Sequence, residues 1–149
     1  MKKFRIMVLT TLVVILTSIG AANASGVGYI NYSKVQENYS YAKNAIKAVD
    51  AKALELQQFL VDKEKEFKSI DTPIKKKNFE EKTAKIFKEK KEAYLEYKVK
   101  KEEDVFNKIQ KAANEVLVEQ KLDAIIDFRV IFVGGMDVTD LVLQKLNKK

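Results

Sequence analysis

The central part of the chain, residues 41–121, contains one proline and no glycine and is rich in Lys, Glu, Ala and Leu. These residues favour helix, so an uninterrupted stretch of this length restricts the fold to long helices. The single break is Asp71-Thr72-Pro73. Proline suits the first position of a helix, and it forces the preceding residue out of the helical region. The sequence therefore predicts a helix ending near Ile70, a tight turn at 71–73 and a longer helix from Pro73 to about Gln120.

Apolar residues in the outgoing helix recur at steps of three and four, with Lys63 as the one polar interruption. This heptad stripe is typical of a coiled-coil seam and predicts an antiparallel hairpin. The return helix shows different phases before and after Tyr94 to Val99, which predicts a stutter or a change of packing partner there. The predicted seam of the outgoing helix is Ile46, Val49, Ala53, Leu56, Leu60, Phe67, Ile70 and Ile74. The phases of the return helix are Phe79, Ile86 and Ala93, then Val99, Phe106 and Ala113, together with Ile109 and Val116.

The two ends of the mature chain have a different character from the centre. Residues 27–35 are rich in β-formers and predict a strand. Residues 125–133 predict two short strands or one bent strand, before a turn at Gly134-Gly135. Asp137 is expected to cap a closing helix, with Asp140 in its first turn. The expected fold class is α+β, mostly α: a small β body with a long antiparallel coiled-coil hairpin arm.

The first 24 residues have the pattern of a secretory signal peptide. Lys2, Lys3 and Arg5 precede an apolar run over 6–19, which is too short to span a bilayer, and Ala22-Asn23-Ala24 forms a small-x-small cleavage motif. An uncleaved membrane anchor is the alternative. We expect export to the periplasm and one mature domain, 25–149. Its body would comprise 25–41 and 122–149, and its helical arm 42–121.

Composition excludes most catalytic chemistry. Cys, His and Trp are absent, so no thiol nucleophile or imidazole base is present, and no glycine-rich phosphate loop is found. Asp127, Asp137 and Asp140 could suggest a metal site or an acid/base pair, but helix capping explains two of them, Asp137 and Asp140, and no nucleophile or substrate pocket is indicated nearby. We expect no enzymatic activity, no cofactor and no metal. Loss of the three basic signal residues lowers the net charge from +7 to +4, which argues against a nucleic-acid partner.

Lysines crowd the start of the return helix. They are either a solvated coiled-coil surface with neighbouring carboxylates or a basic tip that touches anionic lipid headgroups or acidic polypeptides. The predicted basic arm tip is Lys75, Lys76, Lys77, Lys82 and Lys85.

Both ends of the mature chain carry motifs of a known family. The opening motif is Val27-Gly28-Tyr29-Ile30-Asn31, followed by Lys34-Val35 and Ala42-Lys43. The closing motif comprises residues 109–116, Asp123 to Asp127, Val130, Asp137-Val138-Thr139-Asp140, Leu143 and Leu146. Together they resemble the Skp (OmpH-like) periplasmic chaperone family across the mature chain, more weakly in the arm.

The resemblance implies a homotrimer with a shared β-barrel body and three helical arms. Such arms would enclose unfolded outer-membrane proteins and prevent their aggregation without ATP. Strand residues expected to build the oligomer body are Val27, Tyr29, Ile125, Val130 and Phe132. Apolar residues off the regular seam, which could bind clients, are Leu54, Phe59, Phe87, Tyr94 and Tyr97.

The sequence departs from the family in two ways. Lys121 stands where the family usually has the glycine that ends the long helix, so we expect a different helix end here. The arm is also shorter than in well-known members. Two other functions stay open: a structural coiled-coil protein of the envelope, and a binder of lipid or lipopolysaccharide surfaces that uses the basic tip.

Overall fold

The computed structural model describes residues 26–148, so the predicted signal peptide lies outside the described residues. The chain forms β1 (Val27–Ile30), α1 (Tyr32–Asn38), α2 (Ser40–Lys68), α3 (Pro73–Glu119), β2 (Ala124–Asp127), a 3-10 helix (Phe128–Val130), β3 (Met136–Asp137) and α4 (Thr139–Asn147). The protein is mostly helical with a small sheet, which confirms the predicted class. None of the helices within 26–148 is both long and apolar enough to cross a membrane.

The two arm helices form the predicted hairpin. α2 has 29 residues and α3 has 47, about 44 Å and 70 Å at 1.5 Å per residue. Pro73 is at the start of α3, and the Thr72 carbonyl accepts a hydrogen bond from Lys76 N at 3.0 Å. The turn at 71–73 is therefore confirmed, with α2 ending two residues before the predicted Ile70.

The seam of the hairpin repeats every eleven residues. Half-buried or buried positions include Ala45, Leu56 and Phe67 on α2 and Tyr94 and Val105 on α3. Eleven residues correspond to about 3.67 residues per turn, so the buried stripe drifts across any heptad frame. This drift explains the two phases seen in the return helix, which is one continuous helix.

The predicted second phase was partly wrong. Val99 and Phe106 are 60% and 50% exposed and lie outside the seam. Ile109 and Val116 are buried and belong to the core, as does Ala113. The apolar residues of α3 thus serve two purposes: some pack against α2 and the body, and others face solvent.

The hydrophobic core lies where the arm joins the body. α1, the start of α2, the last part of α3 and α4 supply its buried residues, and in the described arm no residue between 46 and 104 is buried. The core cluster is Val35, Tyr39, Ala42, Ala45, Val105, Ile109, Ala112, Ala113, Val116, Val138 and Val142. Stability is therefore concentrated at the root of the arm, and the distal arm depends on its half-buried seam.

The sheet has three parallel-paired strands in the order β2-β1-β3. β1 is central: Val27 pairs with Ala124, and Tyr29 pairs with both Ile126 and Asp137. β2 and β3 are short edge strands. The strand over 27–35 was predicted too long, because the Asn31 side chain accepts from Lys34 N at 3.0 Å and starts α1.

The segment after β2 also differs from the prediction. Instead of continuing as a strand, the chain enters the 3-10 helix, where Asp127 accepts hydrogen bonds from Arg129 N and from its guanidinium. These side-chain and backbone bonds lower the pKa of Asp127 from 3.8 to about 2. The strand prediction was wrong for Val130, which lies in the 3-10 helix, and for Phe132, which lies in no regular element.

The closing helix begins one residue later than predicted. Val138, not Asp137, occupies the N-cap position, while the Asp137 carboxylate accepts a hydrogen bond from Thr139 N at 2.9 Å. Thr139 is buried, and its hydroxyl oxygen accepts from Asn31 N at 2.9 Å. The bond from Asn31 connects the end of β1 to the start of α4, and the bond to Asp137 connects β3 to the same helix start.

The end of α3 contradicts the expectation for Lys121. Leu122 N donates to Leu117 O at 2.9 Å and Lys121 N donates to Val118 O at 3.2 Å, which is the two-bond pattern of a Schellman cap. Lys121 has φ 53°, the left-handed conformation that glycine usually adopts at this position. The helix therefore ends in the glycine-type geometry, although the residue is lysine.

Candidate functional site

The candidate site is the surface of the arm, because its apolar side chains are only partly covered. Among the predicted client-binding residues, Leu54 is 64% exposed, while Phe59, Phe87, Tyr94 and Tyr97 are half-buried. They do not form one cluster. Their positions follow from which side of the α2–α3 seam each residue occupies.

The hairpin has two flanks, one on each side of its seam. An α-helix turns about 100° per residue. In an antiparallel pair of helices, the residue that directly follows a seam position on one helix lies on the same flank as the residue that directly follows a seam position on the other helix. By this rule Ile46 of α2 shares a flank with Leu95, Val99 and Phe106 of α3, and we call this surface the apolar flank. Leu54 and Val61 line a separate groove with Ala51, Gln57 and Gln58, which belongs to α2 alone.

Two clefts open on the apolar flank. Near the turn, Leu60, Phe67, Phe79 and Phe87 line a cleft of about 330 Å³. Near the body, Ile46, Val49 and Tyr94 line part of a cleft of about 220 Å³. At the root of the arm, Phe106 packs against Tyr32 with ring centroids 6.5 Å apart. Charged side chains also line both clefts, Lys63, Glu64 and Glu80 near the turn and Asp50, Lys98, Lys101 and Glu102 near the body.

The opposite side, which we call the lysine flank, contains Lys52, Phe59, Lys63, Lys90 and Tyr97. Its cleft of about 260 Å³ is lined by Lys52, Lys90, Tyr94 and Tyr97 among others. Lys63 Nζ lies 5.8 Å from the Phe59 ring centroid, and Lys90 Nζ lies 5.4 Å from it. The ammonium groups therefore cover the Phe59 ring with favourable cation–π geometry.

Other lysines extend this pattern along the arm. Lys63 Nζ is also 5.7 Å from Phe79, Lys101 Nζ is 5.6 Å from Tyr97 and Lys108 Nζ is 4.8 Å from Tyr41. Lys63, the polar interruption of the predicted heptad, is therefore part of the packing between the helices.

The predicted client-binding residues are thus split between the flanks. Phe87 lies on the apolar flank, Phe59 and Tyr97 lie on the lysine flank, and Tyr94 borders clefts on both sides. Leu54 lies in the groove of α2. Sequence reasoning missed Val61 and Leu95 and assigned Val99 and Phe106 to the seam. An eleven-residue frame would have separated these four from the buried positions.

The predicted basic tip is a ring around the arm. Consecutive residues of a helix differ by about 100° in direction, so three different sides of α3 are occupied by Lys75, Lys76 and Lys77. The next turns of the same helix carry Lys82 and Lys85. Lys76 is half-buried, with Nζ 5.3 Å from the Phe67 ring centroid. The other four are exposed, so positive charge surrounds the distal arm on several sides.

The body has an exposed apolar segment, residues 128–133. Val130 is 74% exposed, Phe132 is fully exposed and Val133 is 86% exposed. The other predicted body residues, Val27, Tyr29 and Ile125, lie in β1 and β2. Val27 is 42% exposed. A single chain therefore leaves apolar side chains of its body, and both sheet edges, uncovered.

The acidic residues of the body make structural contacts. Lys34 Nζ forms an ion pair with Asp140 at 2.8 Å, and Asp127 binds Arg129. Hydrogen bonds from the Thr139 side chain and backbone lower the pKa of Asp137. Within residues 26–148 no three His, Cys, Asp or Glu side chains are arranged as metal ligands.

Comparison with known proteins gave one structural neighbour of interest. No family model and no curated protein sequence matches the chain. A crystal structure described as that of a candidate OmpH-like outer membrane chaperone from Caulobacter crescentus is similar over 86% of this chain and 86% of its own, at 14% identity and a TM-score of 0.38. This likeness is too low to carry a functional argument.

Proposed function

We propose that this protein is an ATP-independent holding chaperone of the periplasm that binds unfolded outer-membrane proteins and prevents their aggregation. The observation that carries the proposal is the set of exposed apolar side chains on the arm, among them Leu54, Leu95, Val99 and Phe106, on helices without buried residues between 46 and 104. A holding chaperone needs many weak apolar contacts on a charged support, and these side chains support that role. Such binding needs no cofactor and no catalytic group.

The proposal includes a homotrimer with a shared β-barrel body. It is supported by the exposed segment 128–133 and by the short strands β2 and β3, whose free edges another chain could pair with or cover. Three arms on one body would also give avidity, since each additional contact with the same client becomes intramolecular.

Aggregation suppression tests the proposal. An outer-membrane β-barrel protein unfolded in urea is diluted into buffer with or without residues 25–149, and light scattering is followed. We expect scattering to fall when the protein is in several-fold excess as trimer. Unchanged scattering at this excess would show that the protein does not hold clients. The solution mass of the same sample measures oligomeric state: a trimer supports the assembly, and a stable monomer contradicts it.

A second candidate function is binding to anionic lipid or lipopolysaccharide surfaces, and the ring of exposed lysines near the turn favours it. Clustered lysines near an anionic surface contribute about 1 kcal/mol each. Co-sedimentation with anionic vesicles should then be lost when Lys75, Lys77 and Lys82 are replaced by Glu. Co-sedimentation that persists in this variant would exclude the ring as the lipid-binding site.

A further inference from the structure

The helical segment that begins at Tyr32 has one break before the turn of the arm. Tyr39 separates α1 from α2 and has an extended backbone, with φ −87° and ψ 116°. Residues 32–68 contain neither proline nor glycine, the two residue types that most strongly interrupt a helix. Side-chain contacts must therefore maintain the break against the helical preference of the segment.

Asn147, at the end of α4, is hydrogen-bonded to both sides of this break. Its Oδ1 accepts from Ser40 N and from Ser40 Oγ, each at 3.3 Å. Its Nδ2 donates to Asn38 O at 3.1 Å. The first N–H groups and the last carbonyls of a helix have no partner within the helix. One amide side chain thus caps the end of α1 and the start of α2 together, although Asn147 is 107 positions from Ser40 in the chain.

The other contacts at this α1–α2 joint, residues 38–40, satisfy few of these groups. Tyr39 is the N-cap residue of α2, but its side chain makes no capping hydrogen bond. Tyr39 is buried, which fixes its position without giving the backbone groups a partner. Asn38 Nδ2 donates to Lys34 O at 2.8 Å, a contact within α1 and its cap. In residues 26–148, Asn147 is therefore the one side chain from another element that is hydrogen-bonded to the joint.

α4 connects the joint to the sheet. At the start of α4, the Thr139 hydroxyl accepts from Asn31 N at 2.9 Å, directly after β1. The next residue, Asp140, forms an ion pair with Lys34 Nζ at 2.8 Å. Asn147 is the last residue of α4. The helix is thus attached at both of its ends, and it links the end of β1 to the base of α2.

The two helices of the arm join the body in different ways. α3 runs without a break from the turn into the core, where Val105, Ile109 and Val116 are buried. α2 begins at the joint. A continuous helix bends only gently, whereas a residue between two helices can absorb larger changes of φ and ψ. When the joint is held, both helices fix the arm to the body, and when the joint is free, only α3 does.

We propose that Asn147 is a positioning residue, whose side chain is a latch that keeps the α1–α2 joint bent and thereby restricts the angle between the arm and the body. With the latch open, the arm is fixed through α3 alone and samples a wider range of angles. The latch lies outside the exposed apolar side chains on which the proposed chaperone function rests, so this inference goes beyond that function and does not depend on it.

The closing helix offers a matched pair of variants for the test. Asn147 and Gln144 are both exposed amide residues of α4, and within residues 26–148 the Gln144 side chain makes no hydrogen bond. We expect Asn147→Ala to speed amide hydrogen exchange over residues 38–43 about threefold to tenfold, because hydrogen bonds at exposed helix ends are lost. Gln144→Ala should change the exchange rate less than about twofold. Mass spectrometry on residues 25–149 measures the exchange.

Double electron–electron resonance between two nitroxide labels measures the angle of the joint. Ser33 of α1 and Gln57 of α2 are exposed, and the chain has no cysteine, so Ser33→Cys and Gln57→Cys provide the attachment sites. They are 24 positions apart, which a continuous helix would span in about 36 Å. We expect a narrow distribution below this distance when Asn147 is present, and a broader one that extends towards it in Asn147→Ala. Labelled chains are assembled with an excess of unlabelled chains, so that only distances within one chain are measured.

A proline at the first position of α2 should replace the latch. Ser40→Pro removes the N–H group that donates to Asn147. Proline is favoured at the first position of a helix, and it excludes the helical conformation at the preceding residue, here Tyr39. The double variant Asn147→Ala/Ser40→Pro should therefore keep the break and restore the narrow distance distribution. If Asn147 only stabilised α4, a proline in α2 would not compensate for its loss.

Unchanged exchange and an unchanged distance distribution in Asn147→Ala would overturn the proposal. Equal effects of Asn147→Ala and Gln144→Ala would also overturn it, since they would indicate a general loosening of α4, and so would a broad distribution that persists in the double variant. Should circular dichroism show that Asn147→Ala loses helix content, Asn147→Asp takes its place, because it keeps the acceptor for Ser40 and loses the donor to Asn38. Exchange at residues 38–43 as slow as in the wild type would then contradict the latch.

Discussion

Lys121 is the residue where a single substitution should make the protein more stable. It has φ 53° and occupies the left-handed position of the Schellman cap that ends α3. A residue with a Cβ costs about 1–2 kcal/mol in this conformation. Glycine avoids that cost but has a more flexible unfolded chain, which offsets about 0.4–1 kcal/mol. Lys121→Gly should therefore raise the free energy of unfolding by about 1 kcal/mol.

The assay is thermal unfolding followed by circular dichroism at 222 nm. For a chain of this length, about 1 kcal/mol corresponds to an increase in Tm of roughly 4 °C. All variants are compared at one protomer concentration, because Tm depends on concentration in an oligomer. The Lys121 side chain is exposed, so its removal should cost little packing energy.

Lys121→Ala is the control, since alanine removes the long side chain but keeps the Cβ. We expect its Tm to stay close to that of the wild type, and Lys121→Asn to fall between alanine and glycine because asparagine tolerates this conformation better. If Lys121→Ala raised Tm as much as Lys121→Gly, the strain argument would be wrong. A lower Tm in Lys121→Gly would also refute it.

Three further predictions concern the body. Thr139→Val should lower the free energy of unfolding by about 1–3 kcal/mol, because it removes the acceptor for Asn31 N; Thr139→Ser should lower it less, and urea unfolding measures both. The pKa of Asp137 is lower in the folded protein than in the unfolded chain, so its carboxylate stabilises the fold above the unfolded pKa and loses this effect as the pH falls through the folded pKa. Asp137→Asn should therefore have a lower free energy of unfolding than wild type at pH 7. The difference, measured by urea unfolding at a series of pH values, should shrink towards pH 2. Phe132→Asp should reduce the solution mass measured by light scattering if the exposed segment lies between copies, and an unchanged trimer mass would place Phe132 outside the interface.

Burial differs between the distal arm, which has only a half-buried seam, and the root of the arm, whose residues lie in the core. Residues between 46 and 104 have no buried member, so local opening of the distal arm should expose little additional apolar surface. The root, with Val105, Ile109 and Val116 in the core, should open only when the body unfolds. This gradient would let the distal arm open or change shape while the body stays folded.

Local rules account for the parts of the fold that were predicted correctly. Pro73 and the absence of glycine define the two long helices, because proline and glycine act on the backbone of their own neighbourhood. The mostly helical α+β class follows from the same local pattern. Asn31 could also have been read as an N-cap, and the long strand prediction overlooked that signal.

Neither helix alone shows on which side of the arm its exposed apolar residues lie. Val99 and Phe106 fit a heptad phase in the sequence, yet they are exposed, because the buried stripe of α3 follows an eleven-residue repeat. Whether the Phe59 ring is accessible depends on Lys90, which is 31 positions away along the chain and whose Nζ comes within 5.4 Å of the ring centroid only in the folded hairpin.

By itself, the sequence determined the helical hairpin and its turn, since these depend on residue type and local backbone preference. Only the tertiary structure decided that Val130 and Phe132 lie outside the sheet, that Lys121 ends α3 in a left-handed conformation, and that Ile46 of α2 shares a flank with Leu95, Val99 and Phe106 of α3. The shared flank depends on the pairing of two helices that are distant in sequence. The other two outcomes accompany hydrogen bonds within a few residues, from Arg129 to Asp127 and from Lys121 and Leu122 to the end of α3, which outweigh a local preference of about 1 kcal/mol.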